Sequence, residues 1–291
     1  MSRSRLRSAL SFPRFAAFTT GLTLTLVMLG IYTAATGSGL ACSAQWPLCD
    51  GGLLPQTIPS FIEWFHRLVA MVTGFFIVGT ALWAWRRPDT RTRATATLAV
   101  FLLPLQISIG AVTVTLSGMF PSGYSPPTQG AHLVVALAIF SLLVLTTLYA
   151  SERRFSDPPL VRARRALAVG LVALVVSVLF SRVVPVPGYT PAAQAAYYGT
   201  SLTLFATLIA AIRWLGASPS PLPRYLSTSA LVLVFAGMLL GRDLVYYTPT
   251  VRLVNAGLFV LAGVALAAAT WLVGRTDASS GGPASTATDR V

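Results

Sequence analysis

Charged residues are scarce in this chain, and lysine is absent altogether. Only 10% of the 291 residues are charged, whereas 55% are hydrophobic. Soluble globular proteins carry roughly a quarter charged residues, so this composition excludes an ordinary soluble enzyme and predicts a protein of the lipid bilayer. Only two histidines and two cysteines occur. Any metal-dependent or nucleophilic chemistry must therefore depend on very few side chains.

Eight apolar runs are each about long enough to cross a membrane. A hydrocarbon core of about 30 Å requires roughly 20 apolar residues in a helix. The first run is this long, so we expect it to remain as a helix rather than to be cleaved as a signal peptide. We predict an all-α polytopic membrane protein with transmembrane helices at about 15–36, 60–84, 96–117, 129–150, 166–184, 192–214, 226–247 and 250–273.

The net charge of +13 is explained by membrane topology rather than by binding to nucleic acid. Most arginines lie in the two tails and in the connections after the second, fourth and sixth apolar runs. Arginine-rich connections stay in the cytoplasm, so we predict a multi-pass protein of the cell membrane with both termini cytoplasmic. The connections that then face outward are 37–59, 118–128, 185–191 and 248–249.

The chain is also predicted to be a tandem repeat of four helices plus four. The sequence around His132 aligns with that around Arg252, and His66 aligns with Tyr198. The second half thus repeats the frame of the first without its histidines. We divide the chain into an N-terminal four-helix half that holds the site, a degenerate C-terminal half and a disordered tail, at 1–150, 151–275 and 276–291.

The two histidines are predicted to face each other at similar depth. His66 and His132 each lie a few residues into an apolar run that enters from the outer face, so their helices run parallel. Two imidazoles on neighbouring helices of a bundle are typical ligands of a six-coordinate haem iron. The alternative is that each histidine is bonded to a backbone carbonyl. A zinc site is disfavoured because no third ligand with suitable spacing is evident.

Two further ionisable residues flank the first histidine. Glu63, His66 and Arg67 share one helix face because they are three and four positions apart. Glu63 is the candidate catalytic residue, either in acid–base chemistry or in orienting a substrate. Arg67 suits a haem propionate, since arginine binds carboxylates well. The alternative is that Glu63 and Arg67 simply neutralise each other.

Four arginines break the topology rule because they lie at or just inside the outer ends of the apolar runs. Cations at this depth need a local partner. Asp243 is one such partner for Arg242, and a bound anion could serve others. We treat as candidates for binding propionates or substrate Arg67, Arg182, Arg242 and Arg252.

The two cysteines lie in the first outward connection. Cys42 and Cys49 are outside the cytoplasm in the predicted topology, where oxidising conditions favour a disulfide bond. A loop this short would be stabilised by about 2–3 kcal/mol. The bond is either a structural staple or a redox-active pair beside the haem. The connection is rich in glycine and proline and could cover the haem site from the outer face.

Several of these motifs resemble those of the haem A synthase family over residues 30–135. The resemblance implies oxidation of the C8 methyl of haem O to a formyl group, with His66 and His132 as haem ligands, Glu63 at the catalytic site and a disulfide in the first loop. It also implies the partners haem O, a haem O synthase and a further electron donor. The motifs are Thr36-Gly37-Ser38-Gly39-Leu40-Ala41-Cys42, Trp46-Pro47-Leu48-Cys49, Glu63 with His66-Arg67, Leu105-Gln106 with Gly110-Ala111, and Ala131-His132-Leu133.

The second half departs from the family's usual pattern. That pattern has a second histidine pair that holds haem b, but Tyr198 and Arg252 stand at the corresponding places here. We therefore predict one bis-histidine haem site. Two other functions remain open: a non-enzymatic haem-binding or assembly partner of a terminal oxidase, and a transporter, because repeats and intramembrane charges occur there too.

Overall fold

The computed structural model describes residues 11–43, 45–115, 125–184, 186–242 and 245–280. Within these ranges eight helices are long and apolar enough to cross a membrane, and no strands form apart from an isolated bridge. The all-α membrane architecture is thereby confirmed. The helices are α1 Phe12–Ala35, α2 Ile58–Ala84, α3 Thr90–Thr115, α4 Pro126–Ser151, α5 Pro159–Phe180, α6 Pro191–Trp214, α7 Leu222–Gly241 and α8 Pro249–Ser280.

Proline begins most of these helices. It lies in the first turn of α1, α2, α4, α5, α6 and α7. The first turn has backbone N–H groups without intrahelical acceptors, so a residue that lacks this group costs little there. The hydroxyl of Thr57 caps α2 by accepting the N–H of Ser60, and that of Thr190 caps α6 by accepting the N–H of Ala193. These caps determine where the residues of the following turns lie.

Some helix ends differ from the predicted ones. α3 and α5 begin about two turns earlier than predicted, because their first turns are polar and were assigned to the connections. Asp89 helps α3 to begin early, since its carboxylate accepts the N–H of Thr92 at 2.9 Å. α7 ends at Gly241 instead of near residue 247. α8 continues to Ser280, so the predicted tail begins inside this helix and its remainder lies outside the described residues.

The helices form two quartets with the same order of neighbours. In the first, α1 packs against α2, α2 against α3, α3 against α4, and α4 against α1. The last four helices close a second ring in the corresponding order. α6 joins the quartets by packing against α1 and α4. The helices of His66 and His132, α2 and α4, therefore occupy opposite corners of the first quartet, while the pseudo-repeat itself stays a prediction.

The two quartets are packed in different ways. The largest cluster of buried apolar side chains includes Tyr197, Tyr198, Leu202 and Met238 and lies mainly in the second quartet. In the first quartet, threonine hydroxyls bond across helix pairs, as is common where small and hydroxyl-bearing residues let membrane helices approach closely. The bonded pairs are Thr19–Thr80 at 3.0 Å, Thr20–Thr147 at 2.9 Å and Thr95–Thr146 at 2.8 Å.

Candidate functional site

Glu63 is buried at the outer end of α2 and is held from two sides. The residue is only 2% exposed. One carboxylate oxygen accepts the backbone N–H of Cys42 at 2.6 Å, and the other accepts a short hydrogen bond from Arg67. The Glu63–Arg67 ion pair considered as the alternative is therefore formed. Because the loop also donates to Glu63, the carboxylate position depends on the loop as well as on the helix.

Arg67 joins α2 to the first outward loop. Besides binding Glu63, its guanidinium donates to the carbonyl oxygens of Gln45 at 2.7 Å and Ser43 at 2.9 Å. The arginine therefore uses its fork of donors mainly within the protein, and its predicted role toward a propionate stays a prediction.

The loop itself is closed by a disulfide bond between Cys42 and Cys49, as predicted. Both cysteines are buried. The backbone of Cys49 pairs with Gly52 in both directions, at 2.9 and 3.0 Å. The indole N–H of Trp64 donates to the carbonyl of Pro47 at 3.2 Å. The loop is thus folded onto the first turns of α2, next to the candidate catalytic carboxylate.

Asp50 fastens the same loop to the start of α2. Its carboxylate accepts the N–H of Gln56 at 2.8 Å and the hydroxyl of Ser60 at 2.9 Å. These hydrogen bonds, with that of Gln56 the strongest, lower the pKa of Asp50 below its usual value of 3.8. The loop is therefore anchored by a carboxylate that stays ionised through the physiological range.

The imidazole of His66 lies against bare backbone of α1. A Cβ placed on Gly30 would come within 3.1 Å of the histidine Cε1, so the ring fits only because position 30 lacks a side chain. The Nδ1 atom of His66 is buried and has no hydrogen-bond partner among the described residues. A backbone carbonyl does not satisfy this nitrogen, which disfavours the purely structural alternative.

His132 occupies a similar setting on α4. Its ring lies against Gly110 of α3, where a Cβ would be 3.4 Å from the histidine Cε1. Its Nε2 is 3.2 Å from Nε2 of Gln106, and its Nδ1 is buried without a partner among the described residues. The side-chain oxygen of Gln106 is likewise buried and unpartnered within that part of the chain. Each histidine therefore has a buried, unsatisfied nitrogen and a glycine of a neighbouring helix beside it.

The interior around the two imidazoles is less closed than the layer beneath it. Both histidines are partly buried, whereas Thr73 and Ile77 on α2 and Phe140 on α4 are buried. Unsatisfied nitrogens on opposite corners of a quartet suit a haem, which His66 and His132 would hold. No cluster of three or more His, Cys, Asp or Glu that could hold a bare metal ion occurs among the residues described.

Two of the candidate arginines bind within the second quartet. The guanidinium of Arg182 lies over the rings of Tyr189 and Tyr247, 4.3 and 4.7 Å from their centroids. Arg252 donates from Nε and Nη2 to the carbonyl oxygen of Val183, at 3.2 and 2.8 Å. Both arginines thus hold the outer ends of α5 and α8 together with the neighbouring segments.

Arg242 lies between the quartets. It follows the last residue of α7, it is only 8% exposed, and its Nη2 donates to Oε1 of Gln129 on α4 at 2.7 Å. Asp243, its predicted partner, lies outside the described residues. Gln129 is three positions before His132 and shares its helix face. Arg242 therefore reaches the histidine site of the first quartet from the second.

The place in the second quartet that aligns with His66 is filled. Tyr198 is 1% exposed and donates its hydroxyl to the carbonyl oxygen of Met238 at 2.6 Å. The adjacent Tyr197 donates to the carbonyl of Gly237 at 3.2 Å, and the two rings meet edge to face with centroids 5.1 Å apart. The hydroxyl groups of both tyrosines are therefore hydrogen-bonded within the protein, without a ligand.

Sequence reasoning missed Gly30 and Gln129. Gly30 sits in an apolar run with no feature that marks it, because its importance comes from the ring of another helix. Gln129 carried a usable signal, since a polar residue three positions before His132 must lie on the same face of α4. Gln106 and Gly110 were noted only as parts of a motif, and the structure places both against His132.

Part of this chain is similar to known proteins. The family model described as cytochrome oxidase assembly protein, COX15-CtaA, matches residues 57–183. A heme A synthase of Bacillus licheniformis is 33% identical over 140 residues, covering 45% of this chain and 44% of that protein. A heme A synthase of Shouchella clausii is 35% identical over 138 residues, covering 46% and 44%.

A different name occurs among the similar proteins. A protoheme IX farnesyltransferase of Halobacterium salinarum is 35% identical over 136 residues, covering 46% of this chain and 29% of that protein. The chain matches less than half the length of each of these curated relatives. The segment matched by the family model contains Glu63, both histidines and the helices that carry them. Through this segment, the chain is similar to heme A synthases and to the family described as cytochrome oxidase assembly protein, COX15-CtaA.

Proposed function

We propose that this protein is a haem A synthase-type oxidase that converts the C8 methyl group of haem O into a formyl group. The observation that supports this most is the pair of imidazoles on opposite corners of the first quartet, each with a buried, unsatisfied nitrogen. Similarity to heme A synthases supports haem A formation, and the buried Glu63 on the same helix face as His66 supports an enzyme rather than a carrier. The cell membrane is the proposed location, with both termini in the cytoplasm.

His66 and His132 are proposed to hold the porphyrin between α2 and α4. Gly30 and Gly110 keep the two rings close to the neighbouring helices, so each ring can turn little. The haem iron supplies the oxidative chemistry when the substrate is bound, and the protein supplies position and surroundings. One such site is proposed, because Tyr197 and Tyr198 fill the corresponding place in the second quartet.

Glu63 is proposed to act at the reacting edge of the substrate. Its two oxygens are oriented by the N–H of Cys42 and by Arg67, which keeps the carboxylate fixed on the face of α2 that carries His66. A carboxylate held in this way can accept or return a proton at one oxygen, or orient a polar group of the substrate. The helix spacing places it on the histidine's face of α2.

The disulfide-closed loop is proposed to cover this edge and to exclude water. Arg67 holds the loop carbonyls, and Asp50 holds the loop to the first turn of α2. Exclusion of water strengthens the electrostatic effect of every charge beneath the loop. The disulfide serves this cover as a structural staple.

Haem content and haem product test the proposal together. We expect His66→Ala and His132→Ala each to lose the haem absorption of the purified protein and to abolish haem A in cells that supply haem O. Glu63→Gln should keep the haem absorption and stop the conversion, because the isostere keeps the shape and loses the charge. The proposal fails if both histidine variants keep haem and haem A yield.

The second candidate is a non-enzymatic haem-binding or assembly partner of a terminal oxidase. The family description, cytochrome oxidase assembly protein, favours keeping it. In that case Glu63→Gln would be nearly silent in every readout. The relatives named protoheme IX farnesyltransferase support a link to haem farnesylation, and so a haem O synthase as a partner of this protein. The electron donor remains to be identified by its reduction of the purified haem-loaded protein.

A further inference from the structure

A buried arginine at the end of α7 in the second quartet faces the first quartet. Arg242 is 8% exposed, and its guanidinium makes one hydrogen bond to the described residues, at 2.7 Å to the neutral side-chain amide of Gln129. Within the same residues, no carboxylate lies within ion-pair distance of it. A buried cation is costly unless an anion compensates it. Arg242 therefore has donors left for a ligand.

Two other candidate arginines differ in this respect. Arg67 is compensated by Glu63 and also binds two carbonyl groups. Arg252 places two of its nitrogens on the carbonyl of Val183. Arg67 is thus compensated by a carboxylate and Arg252 is exposed, whereas the buried guanidinium of Arg242 meets only one neutral oxygen.

The surroundings of Arg242 lead directly to the proposed porphyrin site. Gln129, its acceptor, shares a face of α4 with His132. His132 in turn meets Gln106 of α3, whose side-chain oxygen is buried and unpartnered among the described residues. Three helices, α3, α4 and α7, thereby bring polar atoms to one edge of the site. The first quartet alone would lack the cation at this edge.

We propose that Arg242 binds a propionate of the porphyrin, so that the C-terminal half supplies the anion-binding residue of the N-terminal site. This inference rests on the proposed function. Arginine presents a planar fork of donors that matches a carboxylate. Gln129 orients the fork, because it accepts a hydrogen bond from one of its nitrogens.

The position of this anchor has a consequence for the reaction. In the porphyrin, the C8 methyl is attached beside a carbon that bears a propionate. Binding that propionate restricts where the methyl group lies, so Arg242 is a positioning residue for the oxidised carbon. The second quartet thus takes part in the site through a charge rather than through a haem ligand.

Two porphyrins that differ only in their carboxylates test this. The purified full-length protein is titrated with haem and with haem dimethyl ester, whose propionates are uncharged, in wild type and in Arg242→Gln. We expect Arg242→Gln to weaken haem binding about 10- to 100-fold and to leave binding of the ester unchanged. Arg224→Gln is the matched control, since it removes an exposed arginine from the opposite end of the same helix, and it should change neither affinity.

A second variant distinguishes loss of the anion-binding residue from a folding defect. Gln129→Glu keeps Arg242 but gives it a carboxylate within the protein, so it should also weaken haem binding selectively. Arg242→Lys should restore part of the loss, because it keeps the charge without the fork. The inference is overturned if neither Arg242→Gln nor Gln129→Glu changes haem affinity, or if both variants weaken haem and ester equally. Loss of haem in His66→Ala alongside either result would leave the proposed function standing.

Discussion

At the outer end of α2, His66 lies against Gly30 with a ring nitrogen that no described residue satisfies. In the second turn of α6, Tyr198 is buried and donates its hydroxyl to the carbonyl of Met238. Both helices begin with a threonine cap, and both belong to quartets with the same order of neighbours. The difference teaches that one frame can either leave polar atoms open to a ligand or satisfy them internally.

The largest expected effects come from two substitutions, one that removes a packed side chain in the second quartet and one that removes a proposed haem ligand in the first. Tyr198→Ala should lower the free energy of unfolding by roughly 3–5 kcal/mol, because it empties a buried aromatic position. It should leave haem binding in place at temperatures where the protein is folded. His66→Ala should do the reverse, abolishing haem absorption with little change in stability. Thermal unfolding and absorption spectra of the two purified variants measure both effects.

This comparison breaks down if the two variants behave alike. Equal loss of haem in Tyr198→Ala and His66→Ala, both measured while folded, would place a porphyrin in the second quartet as well. Counting haem per chain in wild type then decides between one site and two.

Removing the disulfide should affect only the first quartet. The double variant Cys42→Ser, Cys49→Ser should cost about 2–3 kcal/mol, since a short closed loop is released. Haem should remain bound, while conversion falls because the N–H of Cys42 no longer orients Glu63. Hydrogen exchange of the loop with and without reductant measures the loosening. The connection between α5 and α6, which contains no cysteine, is the internal control.

A single methyl group at Gly30 should weaken the site without unfolding the protein. In Gly30→Ala the new Cβ would lie 3.1 Å from the His66 ring, so the ring must shift by a few tenths of an ångström. We expect haem affinity to fall on the order of tenfold, because a ligand displaced by this much coordinates less well. Gly21→Ala on the same helix meets nothing within 4 Å and should leave haem affinity unchanged.

The corresponding change in the second quartet should affect stability instead. In Gly170→Ala the Cβ would come within 3.2 Å of the Thr207 hydroxyl oxygen and 3.4 Å of the buried Leu204, so side chains of the second quartet must shift. The midpoint of thermal unfolding should therefore fall, with haem affinity preserved in the folded protein. An affinity loss in Gly170→Ala as large as that in Gly30→Ala would contradict the division between the two quartets.

The smallest expected effect is a pH dependence of the loop. The pKa of Asp50 is lowered in the folded protein, so its hydrogen bonds contribute stability above the usual value of 3.8. That contribution is lost as the pH falls through the lowered pKa. Exchange of the Gln56 amide should therefore accelerate below about pH 3.8, relative to its intrinsic rate. Asp50→Asn should remove this pH dependence, and an unchanged profile in that variant would show that another group is responsible.

The sequence predicted the helices better than their ends. Apolar length identified all eight spans, but the polar first turn of α3, capped by Asp89, was assigned to a connection. Hydropathy measures preference for lipid, and a capped polar turn that continues a helix carries no such preference. Asp89 directly before Thr90 is a typical N-cap residue, but the predicted start of the helix was set by the apolar residues alone.

The sequence predicted some parts of the candidate site and not others. Helix spacing alone placed Glu63, His66 and Arg67 on one face, and the structure agrees by pairing Glu63 with Arg67. Topology alone placed the two cysteines together outside the cytoplasm, and they form the disulfide. The sequence analysis gave the same candidate role to four arginines. In the structure, each of them has a different set of contacts. Their spacing along the chain carried no information about which carbonyl, ring or amide lies opposite.

By itself, the sequence determined that the protein lives in lipid, where its helices lie and which residues share a helix face. These properties follow from composition and from the helical period, both of which are local. Only the tertiary structure decided that His66 and His132 stand on opposite corners beside glycines, and that Arg242 reaches Gln129 from 113 positions away. Packing between helices is selected by the fit of whole surfaces, and no local pattern encodes which surfaces meet.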